Sequence, residues 1–403
     1  MGLTCFRVDK AFDGDRVLPD GALVLVRDEL IVGVESGSAA APSDCEVIHL
    51  QDATLLPGLI DTHVHLCGDS SPSALDKLPG LDPDQLAAII DASLTSQLAA
   101  GVTAVRDLGD MQWAVVERRE TPAGRPWIVA SGPPITNVDG HCSNMGGAVA
   151  GRDAIVDAVR QRAERGADVV KVMTSGGIMT SGTDLTACNF ADDEVRLMVD
   201  EAHRHGLPIV AHAHAVSAVQ QSISAGVDGI EHCSCFTGTA LDMPAPLATE
   251  IATAGIPVCP TIGFDPDLSI GPELQAAMAL YGLTFDDVRA YVAGLYRAGI
   301  HLVSGTDAGI SPAKTHGVLR ESVIDLAAAG MPADEALATA TGGAADAIGL
   351  GDRTGRLRVG LAADLLIVGG NPLADLTALR DVRVVVSVGT SYVPTNRRPL
   401  HFP

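Results

Sequence analysis

The chain has 403 residues, 47% of them hydrophobic but only 3% aromatic, and its 27 Lys and Arg against 50 Asp and Glu give a net charge of −23. This acidity argues against a nucleic-acid partner, because phosphate binding needs a basic face. An interior of Ala, Val, Leu and Ile suits buried parallel strands and small-residue helices and disfavours a small β module.

Residues 1–57 read as short strands broken by turns, from FRVDKAF through an Asp-Gly turn to GALVLVRDELIVGVES and CEVIHLQDATLLPG. Their alternation predicts a small antiparallel sheet. From residue 58 to 355, apolar runs such as GVTAVRDLG, DVVKVMTSGG, LPIVAHAHA, VDGIEHCSC and GIHLVSGTDAG alternate with helical stretches. That rhythm predicts an α/β fold with parallel strands, long enough for a (β/α)8 barrel whose functional groups gather at the strands' carboxyl ends. Residues 356–403 return to strands, so the two chain ends are expected to pair into one small β-sandwich domain beside the barrel. No run of about 18 apolar residues suits a membrane span, and no signal-peptide pattern is evident; a cytoplasmic protein without a membrane partner is expected. Eight Cys at no repeating spacing read as reduced thiols. Cys233 and Cys235 form a CxC pair that could bind a soft metal but reads better as two buried, inert thiols.

The chemistry begins at LLPGLIDTHVHL, where His63 and His65 stand two apart after an apolar run. Period 2 puts both imidazoles on one face of an extended strand, as two ligands to a metal such as zinc require. Other metal-competent residues end later runs: Lys171, His212, His214, His232 and Asp307. One βα unit takes roughly 30 to 40 residues, so the intervals of 106, 41, 20 and 75 residues from His65 through Lys171, His212 and His232 to Asp307 place them on strands 1, 4, 5, 6 and 8. All would face one mouth. Arg106 reads as an ion-paired scaffold residue, and His203, His205 and His301 as solvated or structural.

This ordered set, with PGLIDTHVHL, SGTDAG and the closing GLAADLLIVGGNP, resembles the amidohydrolase superfamily of metal-dependent hydrolases over nearly the whole chain. The resemblance implies two divalent metal ions, expected to be zinc, with His63, His65 and Asp307 on one, His212 and His232 on the other, and an N-carboxylated Lys171 bridging them. Asp307 would be the catalytic acid and base serving a metal-bridging hydroxide that cleaves an amide. Within the superfamily, GPPITNVDGHCSNMGG and its neighbours look most like the prolidase-like dipeptidase and metal-dependent carboxypeptidase branch. That implies a peptide substrate, a homo-oligomer, and a substrate contact from His141. The branch usually has Gly-Gly-His where this chain has Asp139-Gly140-His141, which points to an unusual, modified biosynthetic peptide. His214 is expected to support the ligands or touch substrate, and His316 to orient substrate or the strand 8 loop. Alternatives with the same metal site are hydrolases of non-peptide or cyclic amides and ureas. A mononuclear deaminase would not need Lys171, and a non-catalytic scaffold would not need the ligands.

Overall fold

The computed structural model describes residues 2–119 and 123–394, and they form an α/β protein with two kinds of sheet. Strands from the chain ends make mixed sheets. Leu30–Glu35, Ala22–Arg27, Leu3–Val8 and Cys45–His49 lie in that order in one. The other runs Thr390–Tyr392, Val382–Ser387, Leu365–Gly369, Ala53–Pro57, Lys10–Phe12, Val17–Leu18. Here Leu366 pairs with Leu56 on one side and Val385 on the other, so the two ends of the chain share one ladder. Phe6 and Val24 of the first sheet share a buried cluster with Leu55, Ile367 and Val384 of the second, the apolar layer that two stacked sheets enclose.

Two expectations need correction. The N-terminal strands are not simply antiparallel: Leu3–Val8 pairs antiparallel with Ala22–Arg27 but parallel with Cys45–His49, and Lys10–Phe12 runs parallel to Ala53–Pro57. Alternation specifies which face is buried, not the direction of the neighbour. Nor are all thiols reduced. Cys5 and Cys45, on neighbouring parallel strands, form a disulfide with their Cα atoms 6.2 Å apart, a proximity set by strand register and invisible in Cys spacing. The remaining six Cys, including Cys233 and Cys235, are free.

Between the chain ends run the parallel strands β1 (Leu59–Val64), β2 (Val102–Asp107), β3 (Trp127–Ala130), β4 (Val170–Met173), β5 (Ile209–Ala215), β6 (Gly229–Phe236) and β7 (Val258–Cys259). They form a β3-β2-β1 sheet and a β4-β5-β6-β7 sheet. Single parallel bridges join Ile135 to Val172, Val258 to Leu302 and Val64 to Ala308. Every residue of β1, β2, β4 and β5 is buried, as strands covered on both faces require.

Local chemistry sets the helices between them. The helix Pro83–Ala99 opens on a reciprocal cap, with Asp82 Oδ1 accepting the Gln85 N–H at 2.8 Å and Gln85 Oε1 accepting the Asp82 N–H at 2.9 Å. Two helices, α1 (Pro272–Tyr281) and α2 (Phe285–Arg297), follow β7 where one would complete the alternation. No helix among the described residues is long and apolar enough to cross a membrane.

Candidate metal centre

Parallel strands deliver their carboxyl ends to one side of the fold, and the metal-competent residues collect there. His63 lies in β1 and His65 just beyond it. Segment 304–308 hydrogen-bonds along this stretch, with Asp307 N–H donating to His63 O at 2.7 Å and His65 N–H donating to Ala308 O at 2.8 Å. Asp307 Oδ1 consequently stands 3.4 Å from His63 Nε2 and 3.1 Å from His65 Nε2. On the opposite sheet, β5 supplies His212 and His214 and β6 supplies His232. Their rings sit 4.5 to 4.7 Å apart.

The expected ligands fall into two clusters, His63–His65–Asp307 and His212–His214–His232, the possible ligand atoms within each lying within 4.8 Å of one another, and a third grouping as tight, His63–Glu231–Cys259, shares His63 with the first. The His63 and His232 rings, 5.3 Å apart, link them. Lys171, at 1% exposure, has an ammonium nitrogen with no hydrogen-bond partner among the described residues.

Electrostatics favour metal-competent imidazoles. Burial first, and then the Lys171 cation, pushes His63 down to about 4, and burial takes His214 to about 4 as well. Burial also lowers His212 and His232 well below the usual range, so these rings are neutral at pH 7 with lone pairs free. For His65 burial works the same way, but the Asp307 carboxylate outweighs it and the net shift is upward. Burial lowers Lys171 too. The backbone is left-handed at His232 (φ 65°), Thr261 (φ 49°) and Asp307 (φ 61°), a concentration of strain usual at functional sites.

His141 joins the group, its ring 4.7 Å from that of His212. Its Nδ1 is 2.8 Å from Thr180 Oγ1, and burial drives it down to about 3, so it is neutral. Gly177 lets it sit there: a Cβ at that glycine would lie 2.5 Å from the ring. His316 is not brought in. Its Nε2 is 3.0 Å from Gly68 O and its Nδ1 is 3.4 Å from Gln97 Nε2, so it ties its own loop to the loop at Gly68 and to the helix Pro83–Ala99. His203 is exposed and 2.8 Å from Asp228, away from the cluster.

Glu231 escaped the sequence reading. Buried beside His232, it places Oε2 2.8 Å from His63 Nδ1 and accepts from Arg106 Nη2 on Oε1 at 2.8 Å. Burial alone would raise its carboxyl; Arg106 and His63 hold it at about 2. It thereby fixes the tautomer of His63, protonated on Nδ1 with Nε2 facing Asp307. Strand alternation assigns Glu231 to the face opposite His232. The left-handed turn at residues 232 and 233 breaks that alternation, so both neighbours serve the site. The available signal was an acid within an apolar run, which needs a buried partner.

A cavity of about 200 Å³ opens over these residues, lined by His63, His65, His141, Lys171, Asp307 and an apolar wall from α1 and α2. The wider comparison agrees with the geometry. Ochratoxinase of Aspergillus niger is 26% identical over 364 residues, 83% of this chain and 74% of that protein. A crystal structure of a Xaa-Pro dipeptidase with methionine in its active site superposes at a TM-score of 0.84 and 26% identity, over 97% of this chain and all of that one. A prolidase complexed with N-methylphosphonate-L-proline superposes at 0.82 and 25% identity, covering 97% of this chain and 99% of that one. The model of the "Amidohydrolase family" matches residues 54–390 and so takes in every strand and loop that carries the two clusters. By this match the chain belongs to the amidohydrolase family, and it is a hydrolase acting on carbon–nitrogen bonds.

Proposed function

We propose that the protein is a binuclear metal-dependent hydrolase cleaving the amide bond of a small peptide, with two zinc ions. The observation that carries this reading is the orphaned Lys171 nitrogen, buried where its charge acts on imidazoles of both clusters. A buried ammonium without an acceptor is strongly unfavourable. Addition of the neutral amine to carbon dioxide removes that cost: an N–C bond forms, an N–H proton leaves, and a two-oxygen anion takes the place of a cation. His63, His65 and Asp307 would hold one ion and His212 and His232 the second, with the Lys171 carbamate reaching both and His214 stacked beside His232 as support. Imidazole and carboxylate donors suit zinc. Such a pair of ions supplies a polarised carbonyl and an acidified water.

The chain's own groups do the rest. Asp307 takes the proton of the attacking water and returns it to the leaving amine, because an unprotonated amide anion is a very poor leaving group. Glu231 holds His63 in its metal-binding tautomer. His141, with Thr180 on Nδ1, has Nε2 for the carbonyl oxygen of the scissile bond. The likeness to the dipeptidase and prolidase supports a peptide substrate. The two parallel sheets and the bridges joining them support a (β/α)8 barrel over 58–355, flanked by a β domain of 1–57 and 356–403.

Metal analysis with an assay of dipeptides, N-acyl amino acids, cyclic imides and ureas tests the reading. Two ions per chain and turnover of peptides are expected. One ion per chain with Lys171→Ala still active overturns the binuclear site, and turnover confined to cyclic imides or ureas overturns the peptide.

A further inference from the structure

The apolar wall of the cavity is unusual for this chain. Phe236, Phe264, Tyr281, Phe285 and Tyr291 all line it, five of the seven Phe and four Tyr in the sequence. Phe236 meets Tyr281 edge-on at 4.6 Å and Phe264 meets Phe285 at 5.0 Å. Helix α1 presents Leu274, Ala277, Met278 and Tyr281 to the cavity, the i, i+3, i+4, i+7 stripe of an amphipathic helix, yet none of its residues is fully buried. Its apolar face therefore covers the cavity and not the protein core.

Among these apolar groups, and among the described residues, stands one lysine that the proposed metal site does not use. Lys314 is 4% exposed and lines the same cavity. Its backbone is pinned on both sides, its N–H donating to Ser311 O at 2.9 Å and its carbonyl accepting from Gly309 N–H at 2.8 Å. The ammonium donates to Thr261 O at 2.6 Å and sits 3.9 Å from the centre of the Phe264 ring. No carboxylate comes within ion-pairing distance of it among the described residues. A buried ammonium has three N–H groups, and here one carbonyl and one ring face answer them. Burial brings Lys314 down to about 8, so it remains cationic at pH 7.

We propose that Lys314 is the anion-binding residue of the cavity, a specificity determinant that holds a carboxylate on a substrate whose bulky apolar group packs under the α1 stripe. This rests on the amide-hydrolase reading and narrows it to amides carrying a free carboxylate beside an aromatic or large aliphatic group. His141 and the metal ligands then face the scissile bond, and Lys314 the far end of the molecule.

Calorimetry on the metal-loaded enzyme at pH 7 tests this with two probes of equal shape, 3-phenylpropanoate and 3-phenylpropanamide. The wild type should bind the carboxylate at least tenfold more tightly. Lys314→Met should abolish that preference while leaving amide affinity within twofold, and Lys314→Arg should keep most of it. Tyr281→Ala should weaken both probes alike. Unchanged carboxylate binding in Lys314→Met, equal weakening of both probes by it, or no preference in the wild type overturns the assignment. Because binding needs no turnover, a failure to hydrolyse any amide would strike the proposed function without deciding this result.

Discussion

Asp307 places one carboxylate oxygen beside both His63 and His65, and the proposed mechanism gives that carboxylate two duties, as a ligand and as the carrier of the proton. Asp307→Asn should reduce turnover by about 10³-fold or more while the melting temperature stays within a few degrees; an active variant would remove the proton-carrying role. Lys314 gives a pH signature. The charges acting on it come from Asp307, Cys259, Asp61 and Asp325, but burial dominates and lowers it from 10.5 to about 8. Below pH 8 both folded and unfolded chains carry this proton; between 8 and 10.5 the unfolded chain binds more, so wild-type stability should rise relative to Lys314→Met across that window. Denaturant melts of the two proteins at pH 7 and 10 measure the difference. At this scale the sequence was most legible where spacing speaks: the His63–His65 pair, Lys171, His212, His232 and Asp307 all stand where apolar runs end. Lys314 was not legible, because a lysine in a polar Gly-Ser-Pro loop carries no sign that it turns inward.

Strand β6 shows how an element can hide a residue from its own periodicity. With left-handed backbone at His232 and Cys233, Glu231 reaches His63 and Arg106 from a position that alternation points elsewhere. Glu231→Gln leaves the Arg106 guanidinium buried and unpaired, and the loss should be about 3 to 5 kcal/mol of stability, read from denaturant unfolding. A second element-level constraint lies after β2, where a Cβ at Gly109 would fall 2.5 Å from the His65 ring. Gly109→Ala should displace that imidazole and lower metal affinity about 10- to 100-fold, measured by competition with a chelator. The existence and order of seven parallel strands were readable from apolar runs and interleaved helices, whereas the eighth, expected to carry Asp307, is an irregular segment among the described residues, tied to its neighbours by single bridges at Leu302 and Ala308. Strand direction near the N-terminus and the Cys5–Cys45 disulfide were not, because pairing partners distant in sequence decide both.

In the molecule as a whole, the texture change near residue 58 coincides with a change of partner: Ala53–Pro57 pairs with Leu365–Gly369, whereas β1 pairs with β2. Metal bound only by the folded chain stabilises it by mass action, so chelator treatment should lower both the melting temperature and activity, and zinc should restore them together. Recovery of the melting temperature alone would separate the ions from catalysis. Helix α1 has a different dependence. Since it buries no residue of its own, little of the free energy holding the protein together passes through it. Its amide hydrogens should exchange with deuterium quickly in the vacant enzyme and slowly once a ligand fills the space beneath, making residues 272–281 a reporter of occupancy that needs no knowledge of the reaction.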